Sequence, residues 1–254
     1  MADMSAVPRR EDGRLVAASL GSASRLLALY RLPRITIEMS GDARCLALYR
    51  LFTKRHPRYR LIRNKAWGVA LLRLPDTIEG YMGGGARRHM RGHVARSVKA
   101  GYTFARVEPL ARLDEIMAIN RSAEARQGKP MHPDYLDANM VTAYLGQASE
   151  VYAVVDKDGR LAAYGDLRVC GDVASMSRLL GHADHLQNGV MYRLMAGIIE
   201  DLIGRRAAAG APSWFMYDTF PGASAGMAQF KRAIGCEPYR VSWRWVDPAD
   251  AVAA

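Results

Sequence analysis

A single carboxylate lies inside a run of apolar residues near the carboxyl end of the chain. Asp218 falls in the stretch from Trp214 to Phe220, whose composition predicts a buried strand. A carboxylate in an apolar strand is expected to be buried and to have a raised pKa, which suits a general base. The alternative is that Asp218 only caps the loop that begins at Pro221 and Gly222.

Two groups of histidines also carry side chains that could do chemistry. His182 and His185 follow a predicted strand and could transfer protons, although a loop histidine often does no more than pair with a backbone carbonyl. His89 and His93 are one helical turn apart, a spacing that can bind a metal ion. Their neighbours are cations that would repel a metal, so we predict no metal site.

A strongly basic segment follows three consecutive glycines, Gly83 to Gly85. No acidic residue occurs between Glu79 and Glu108, whereas six cations do: Arg87, Arg88, Arg91, Arg96, Lys99 and Arg106. A glycine-rich loop that leads into a helix can hold a phosphate on free N–H groups. Met90, Val94 and Val98 would form the inward stripe of that helix. The alternative to anion binding is a solvated charged face.

The whole chain has 254 residues, a formal net charge of +11 and a pI of about 9.8. This length can bury a large core, and this charge favours nucleic acid, a phosphorylated cofactor or an acidic membrane surface as partner. The three scattered cysteines predict neither a disulfide framework nor a zinc site, which favours a reducing, cytoplasmic setting. No apolar run is long enough to predict a transmembrane helix.

The amino-terminal third predicts irregular elements. Residues 1 to 12 are expected to form a tail, and Leu15 to Leu32 predicts a helix that packs on the domain or lies on a membrane. Ile35 to Met39 predicts a strand, and Asp42 is a plausible N-cap for a helix from Ala43 to Thr53. Tyr59 to Ile62 and Trp67 to Leu74 predict a hairpin around Asn64 and Lys65.

The remainder of the chain has clearer periodicity. Two helices are predicted from Arg112 to Ala125 and from Asp134 to Leu145. Three strands joined by tight turns follow, and then two further helix–strand pairs. The predicted elements are Val151–Val155, Leu161–Cys170, Val173–Leu180, a helix from Val190 to Leu202, Trp214–Phe220, a helix from Ala225 to Ile234, and Tyr239–Val246.

The order of the carboxyl-terminal elements resembles the second half of the GNAT acyltransferase fold. Phe230-Lys231-Arg232-x-x-Gly235-Cys236-Glu237-Pro238-Tyr239 is similar to the ending of GNAT proteins of the FemAB-like branch. The basic segment from Arg87 to Tyr102 is similar to a helix that precedes the catalytic half in that branch. The resemblance covers roughly residues 80 to 246, and it implies an α/β fold with a GNAT-like mixed, mostly antiparallel central sheet flanked by helices.

The resemblance implies direct transfer of an acyl group to an amine. In such folds two central strands splay apart, a backbone N–H in the gap polarises the acyl carbonyl, and a general base takes a proton from the attacking amine. The candidate catalytic residues are Asp218, His182 and Tyr239. The donor would be an acyl-CoA or an acyl carrier protein thioester, and no metal is needed.

The turn that should bind the CoA pyrophosphate departs from the family pattern. Leu186-Gln187-Asn188-Gly189-Val190-Met191 keeps one glycine, but Leu186 replaces a Gln or Arg, and Met191 replaces a small residue. The helix that follows can still attract an anion. We therefore keep five candidate cofactor-binding residues: Gln187, Asn188, Gly189, Tyr192 and Lys231.

The acceptor would be a small-molecule or lipid-linked amine. Its candidate ligands are Arg126, Gln127 and Tyr135 in the segment between two helices, with Arg87 and Arg91 in the basic segment. Two alternatives stay open. One is a FemAB-like transferase that uses aminoacyl-tRNA, and the other is a non-catalytic GNAT fold that binds RNA or anionic lipid. The expected domain spans residues 35–246, with 35–80 as either opening strands or a reduced subdomain. An N-terminal tail and helix at 1–34 and a C-terminal tail at 247–254 flank it.

Overall fold

The computed structural model describes residues 27–57, 62–126, 129–147 and 150–247. The first half contains β1 (Arg34–Met39), α1 (Ala43–Thr53), β2 (Trp67–Arg73), α2 (Ile78–Met82), α3 (Arg88–Lys99), β3 (Thr103–Val107), α4 (Leu113–Arg121), β4 (Ala125–Arg126) and β5 (Lys129–Pro130). The second half contains α5 (Ala138–Leu145), β6 (Glu150–Val155), β7 (Leu161–Cys170), β8 (Val173–Gly181), α6 (Val190–Ala209), β9 (Trp214–Thr219), α7 (Ala225–Ala233) and β10 (Glu237–Trp245).

Eight strands form one mixed sheet in the order β1-β10-β2-β9-β8-β7-β6-β3. The pairs β1/β10 and β8/β9 are parallel, and the other five pairs are antiparallel. This architecture confirms the predicted mixed, mostly antiparallel sheet flanked by helices.

The amino-terminal third is part of this sheet. Strand β2 lies between β9 and β10, and β1 pairs with the outer side of β10. The last helix–strand unit therefore cannot complete its half of the sheet without the first strands of the chain. Because β2 has β9 and β10 as its neighbours, the predicted hairpin between 59–62 and 67–74 is wrong; residues 58–61 themselves lie outside the described residues.

Helices cover both faces of the sheet, and the alternation of buried side chains along the strands decides which face each helix covers. Ala70 and Leu72 of β2 point to a core built with α2, α3, α6 and α7, which we call the α6 face. Val69 and Leu71 point to the opposite core, which α1 covers at one end and α4 and α5 cover at the other; we call it the α1 face.

Several local predictions hold in the structure. The Asp42 side chain accepts hydrogen bonds from the N–H groups of Arg44 and Cys45 and so caps α1 as expected. Gly159 has a φ of 80° in the β6–β7 turn, and Gly235 has a φ of 95° just after α7. Both angles lie in the left-handed region that glycine adopts without steric cost.

Three element predictions need correction. The helix predicted to Ala125 ends at Arg121, and α5 begins at Ala138 because a 3-10 turn covers Pro133–Tyr135. In α3, Ser97 is buried where the prediction had Val98, which is 54% exposed. Ser97 lies seven residues after Met90, which is two helical turns, so the buried stripe continues at this residue and not at Val98.

Two cysteines form a disulfide that the sequence did not predict. Cys45 of α1 and Cys170 at the end of β7 are bonded, with their Cα atoms 5.5 Å apart and 125 residues between them in sequence. Only Cys236 is free among the cysteines, and it is buried. The cysteine pattern therefore no longer supports the reducing, cytoplasmic setting inferred from it.

Candidate active site

Strands β8 and β9 separate after a short parallel contact. They pair at three positions, Val173 with Trp214, Ala174 with Phe215 and Ser175 with Met216, although β8 continues to Gly181 and β9 to Thr219. Beyond Ser175 the side of β8 that faces β9 has no strand partner in the described residues. Backbone N–H and C=O groups on that side therefore face an open seam between the two strands.

Both strands carry a β-bulge where they separate. The pairing of β7 with β8 shifts between Asp166–Arg178 and Leu167–Met176, which leaves Ser177 as an extra residue in β8. The pairing of β2 with β9 shifts in the same way and leaves an extra residue at Tyr217–Asp218. A bulge bends its strand and disrupts the local ladder, so the two bulges account for the divergence.

A cavity of about 770 Å³ lies in the seam, and it opens between α1 and the segment that follows α4. This volume is in the range of binding sites for small molecules. Polar and apolar groups share its wall almost equally, and the strands contribute the residues from Ser175 to Leu180 and from Met216 to Thr219. The polar and charged side chains in the wall are Lys65, Arg126, Tyr135, Ser175, Ser177, Arg178, Tyr217, Asp218, Thr219 and Lys231.

Lys231 of α7 brings an amine to the inner end of this cavity. Its side chain is 3% exposed, and Nζ donates a hydrogen bond of 2.6 Å to the backbone carbonyl of Thr219. Burial lowers the pKa of this ammonium, and the nearby Asp218 carboxylate opposes that effect. The structure therefore brings a buried amine to the seam, within hydrogen-bond reach of a backbone carbonyl.

Asp218 lies at the seam, but its predicted burial is wrong. Its side chain is 55% exposed and forms an ion pair with Lys65. The bulge turns the backbone at this residue to a φ of 55°, so the side chain leaves the apolar row to which its position in the sequence assigned it. Aspartate tolerates this left-handed conformation better than most residues.

A buried carboxylate does exist, one strand further away, at Asp166 of β7. It is 4% exposed and accepts a hydrogen bond from the Tyr144 hydroxyl of α5, while its Oδ1 has no partner among the described residues. Burial raises its pKa to about 6, against the lowering effects of Tyr144 and Arg178. In the β7–β8 register Asp166 is paired with Arg178. The guanidinium of Arg178 lies over the ring of Tyr144 and 4.5 Å from the ring centre of Tyr135.

Of the predicted acceptor ligands, Arg126 and Tyr135 line the cavity. Arg126 already binds protein groups: it donates to the carbonyls of Gly181 and Ile119 and to the Ser122 hydroxyl, at 2.8, 2.7 and 3.1 Å. Burial lowers the pKa of its guanidinium. Gln127 lies outside the described residues.

Arg87 and Arg91 were predicted to bind the acceptor but lie on the α6 face, away from the cavity. Arg91 donates to the backbone carbonyls of Met82 and Gly84, the latter at 2.7 Å. Arg87 packs against Gly235 and over the ring of Tyr81, 5.5 Å from its centre. Both side chains hold α3 onto the domain, so the structure does not support a role for them in the cavity.

Two predicted catalytic residues also lie outside the cavity lining. The ring of His182 caps a 3-10 turn by accepting from the N–H of Asp184 at 3.4 Å, and it meets the ring of His185 at 5.3 Å. Tyr239 packs edge-on against Trp214 at 5.5 Å, with its hydroxyl 3.4 Å from Glu237. Asp218 is thus the one predicted catalytic residue that lines the seam.

The predicted cofactor turn is covered by α3. An added Cβ on Gly189 would lie 2.4 Å from the carbonyl oxygen of His93, and Arg96 donates to the Gln187 carbonyl at 3.2 Å. Tyr192 stacks on His93 with 4.6 Å between ring centres. The Asn188 amide donates to the Tyr102 hydroxyl at 3.0 Å. Gln187, Asn188, Gly189 and Tyr192 therefore line no open cradle for a pyrophosphate, and Lys231 alone of the five predicted cofactor residues lines the cavity.

Sequence reasoning missed Lys65, Asp166 and Arg178. Asp166 and Arg178 each interrupt an apolar strand, which is the signal that drew attention to Asp218 and could have drawn attention to them. Lys65 offers no comparable signal, because only the placement of β2 beside β9 brings it to the seam.

Solved structures identify the fold. FemX superposes with a TM-score of 0.50 at 10% identity, over 68% of this chain and 59% of FemX. The chain has the GNAT fold. Two further GNAT-fold neighbours are the C-terminal domain of a lysylphosphatidylglycerol synthetase from Agrobacterium fabrum (TM-score 0.42, 20% identity) and L-PGS from Bacillus licheniformis (TM-score 0.43, 13% identity). Each of these covers 67% of this chain and 57% of the other.

The chain thus spans less than two thirds of the length of these three structures. No family model matches the sequence, and no curated protein matches it. Among the described residues, no helix is long and apolar enough to cross a membrane. The same residues contain no group of three or more His, Cys, Asp or Glu side chains that could hold a metal ion.

Proposed function

We propose that this protein is an N-acyltransferase in which an amine attacks an activated acyl group inside the seam between β8 and β9. The observation that carries the proposal is the separation of these strands after Ser175 and Met216, with a cavity of about 770 Å³ between them. Backbone N–H groups of β8 and β9 that face the seam beyond the last pair can polarise an acyl carbonyl, as oxyanion donors do in acyl transfer.

Two side chains complete the proposed chemistry. Asp218 lines the cavity, and its carboxylate, half exposed beside Lys65, takes the proton that the attacking ammonium must lose. The buried Lys231 ammonium stabilises the negative charge that develops on the acyl oxygen. The acyl–donor bond breaks as the amide forms, and the leaving group takes up a proton.

Fewer features of the structure bear on the acyl donor than on the reacting groups in the seam. A thioester on CoA or on a carrier protein is the first proposal, and α3 over Gly189 argues against docking of the CoA pyrophosphate at the start of α6. A carrier-protein thioester avoids that contact. The second candidate is an aminoacyl-tRNA, which the exposed cations of α3 favour.

Mass spectrometry of the reaction products tests the proposal. The protein is mixed in turn with an acyl-CoA, an acylated carrier protein and aminoacyl-tRNA, each with a pool of primary amines. We expect one donor to acylate at least one amine faster than the same mixture without protein. Folded protein that leaves every amine unmodified with all three donors would contradict the proposal.

A binding measurement separates the two donor candidates. If tRNA binds through α3, its affinity falls steeply as the salt concentration rises. In the variant with Arg88 and Lys99 replaced by alanine, the magnitude of the slope of log K against log salt concentration should be smaller by about two. Arg160→Ala is the control, because Arg160 is exposed in the β6–β7 turn, away from α3. Affinity that is independent of salt, or unchanged in the double variant, would count against the tRNA donor.

A further inference from the structure

Four cationic side chains line the cavity, and three of them are already bound to protein groups. Lys65 pairs with Asp218, and Lys231 donates to the Thr219 carbonyl. Arg126 donates to two backbone carbonyls and one hydroxyl. Among the described residues, the side chain of Arg178 alone of these four has no hydrogen-bond acceptor and no carboxylate within ion-pair distance, although it attracts the carboxylate of Asp166, its partner in the sheet register.

The guanidinium of Arg178 is held in place by aromatic rings. It lies 3.2 Å above the ring centre of Tyr144 and 4.5 Å from that of Tyr135. Its Nη1 is buried and has no hydrogen-bond partner. Aromatic faces attract a guanidinium but leave the donors along its edge unsatisfied, and a buried donor without an acceptor costs free energy.

We propose that Arg178 binds an anionic group, a carboxylate or a phosphate, carried by the amine acceptor. The planar edge of a guanidinium matches two oxygens of either group and forms charge-assisted hydrogen bonds to them. The three other cations already bind protein groups, whereas among the described residues no acceptor binds the side-chain donors of Arg178.

The position of Arg178 relative to the seam determines how far the anionic group of the acceptor can lie from its reacting nitrogen. Arg178 directly follows Ser177, the bulged residue that lies two positions beyond the last residue of β8 to pair with β9. An anion on Arg178 is therefore close to the seam where the amine reacts. The acceptor class is a compact amine with its anionic group near the nucleophilic nitrogen, and the apolar wall around Met131, Met216 and Met227 accommodates any hydrocarbon portion. This inference rests on the proposed function, because it assigns the anion to the acceptor.

Calorimetric binding without any donor tests the inference. The probes are two matched pairs, phosphoethanolamine against ethanolamine and glycine against glycinamide, and the pair with the larger difference distinguishes phosphate from carboxylate. We expect the anionic member of one pair to bind wild-type protein at least tenfold more tightly than its neutral partner. Arg178→Gln should abolish that preference, and Arg160→Gln, the same change on an exposed arginine of the β6–β7 turn, should keep it.

Equal affinity within both pairs, or a preference that persists in Arg178→Gln, would overturn the inference. Arg178→Lys keeps the charge but not the planar fork, so it should lower the preference at least threefold; it is decisive where the Gln variant does not fold. The two proposals can fail separately. An anion preference without acyl transfer would contradict only the proposed function, and acyl transfer without an anion preference would contradict only this inference.

Discussion

Ser175 and Met216 are the last residues at which β8 and β9 pair. One residue further along in each strand, at Met176 and Tyr217, the two backbones have begun to separate, and the bulged residues that bend them follow at once. The divergence of the two strands beside the cavity is therefore built into the sheet, and a ligand need not produce it. A preformed site of this kind lowers the cost of ordering a bound substrate.

Replacing Lys231 by methionine is expected to abolish most of the activity. The change removes the buried ammonium proposed to stabilise the acyl oxyanion, so turnover should fall by about 10²- to 10³-fold. Lys157→Met, in the exposed β6–β7 turn, is the control and should retain wild-type turnover. Turnover in Lys231→Met within threefold of wild type would remove this residue from the mechanism.

The same substitution should change how stability depends on pH. Burial lowers the pKa of Lys231 in the folded state, so the folded protein binds fewer protons than the unfolded chain between the folded and unfolded pKa values. Below this window the buried Lys231 lowers the free energy of unfolding, and this destabilisation disappears as the pH rises through the window. The Tm of Lys231→Met relative to wild type should therefore be highest below the folded-state pKa and decline as pH rises through that pKa toward the unfolded value of 10.5.

Asp218→Asn should lower turnover by about 10²- to 10⁴-fold, because the amide cannot accept the proton of the attacking ammonium. Asparagine also tolerates the left-handed backbone at this position, so the variant should keep its circular dichroism spectrum and its Tm within a few degrees. Asp158→Asn in the exposed turn is the matched control. Full activity in Asp218→Asn would mean that the proton goes elsewhere.

Asp166→Asn should stabilise the protein at neutral pH. Burial raises the folded-state pKa of Asp166 from 3.8 to about 6, so stability falls as pH rises from about 4 to 6 and stays low above that window. Removing the carboxylate should raise the free energy of unfolding by on the order of 3 kcal/mol at pH 7.5 and change it little at pH 4. Urea unfolding at the two pH values measures this; an equal effect at both would contradict burial as the cause.

The disulfide can be counted chemically. Alkylation of the unfolded protein without reductant should label one of the three cysteines, Cys236, and alkylation after reduction should label all three. Peptide mass mapping without reduction should find Cys45 joined to Cys170. Three labelled cysteines in unreduced protein would show that this pair is a contact between thiols.

Much of the fold could be predicted because its determinants are local. The alternation in β10, the glycine turns and the Asp42 cap are set by neighbours a few residues away, and each appears in the structure as predicted. The partners of β2 and of Cys45 depend on residues more than a hundred positions distant, and no periodicity in the sequence encodes that pairing.

The site was predicted less well than the fold. Asp218 and Lys231 reach the seam because they belong to the carboxyl-terminal elements, whose order resembles that of the GNAT fold. The expected burial of Asp218 failed because a bulge, which no residue pattern marked, turns the side chain out of its row. Tyr239 and His182 are close to the seam in sequence but are directed to other contacts.

If acyl transfer takes place in the seam, a bulky side chain placed in the seam should stop it. Ala223 lines the cavity, whereas Ala225, two residues later at the start of α7, is exposed and does not. We predict that Ala223→Phe lowers the mass-spectrometric rate of amine acylation at least 100-fold while Ala225→Phe leaves it unchanged, with the Tm of both variants close to wild type. Equal rates in the two variants would mean that acyl transfer takes place outside the seam.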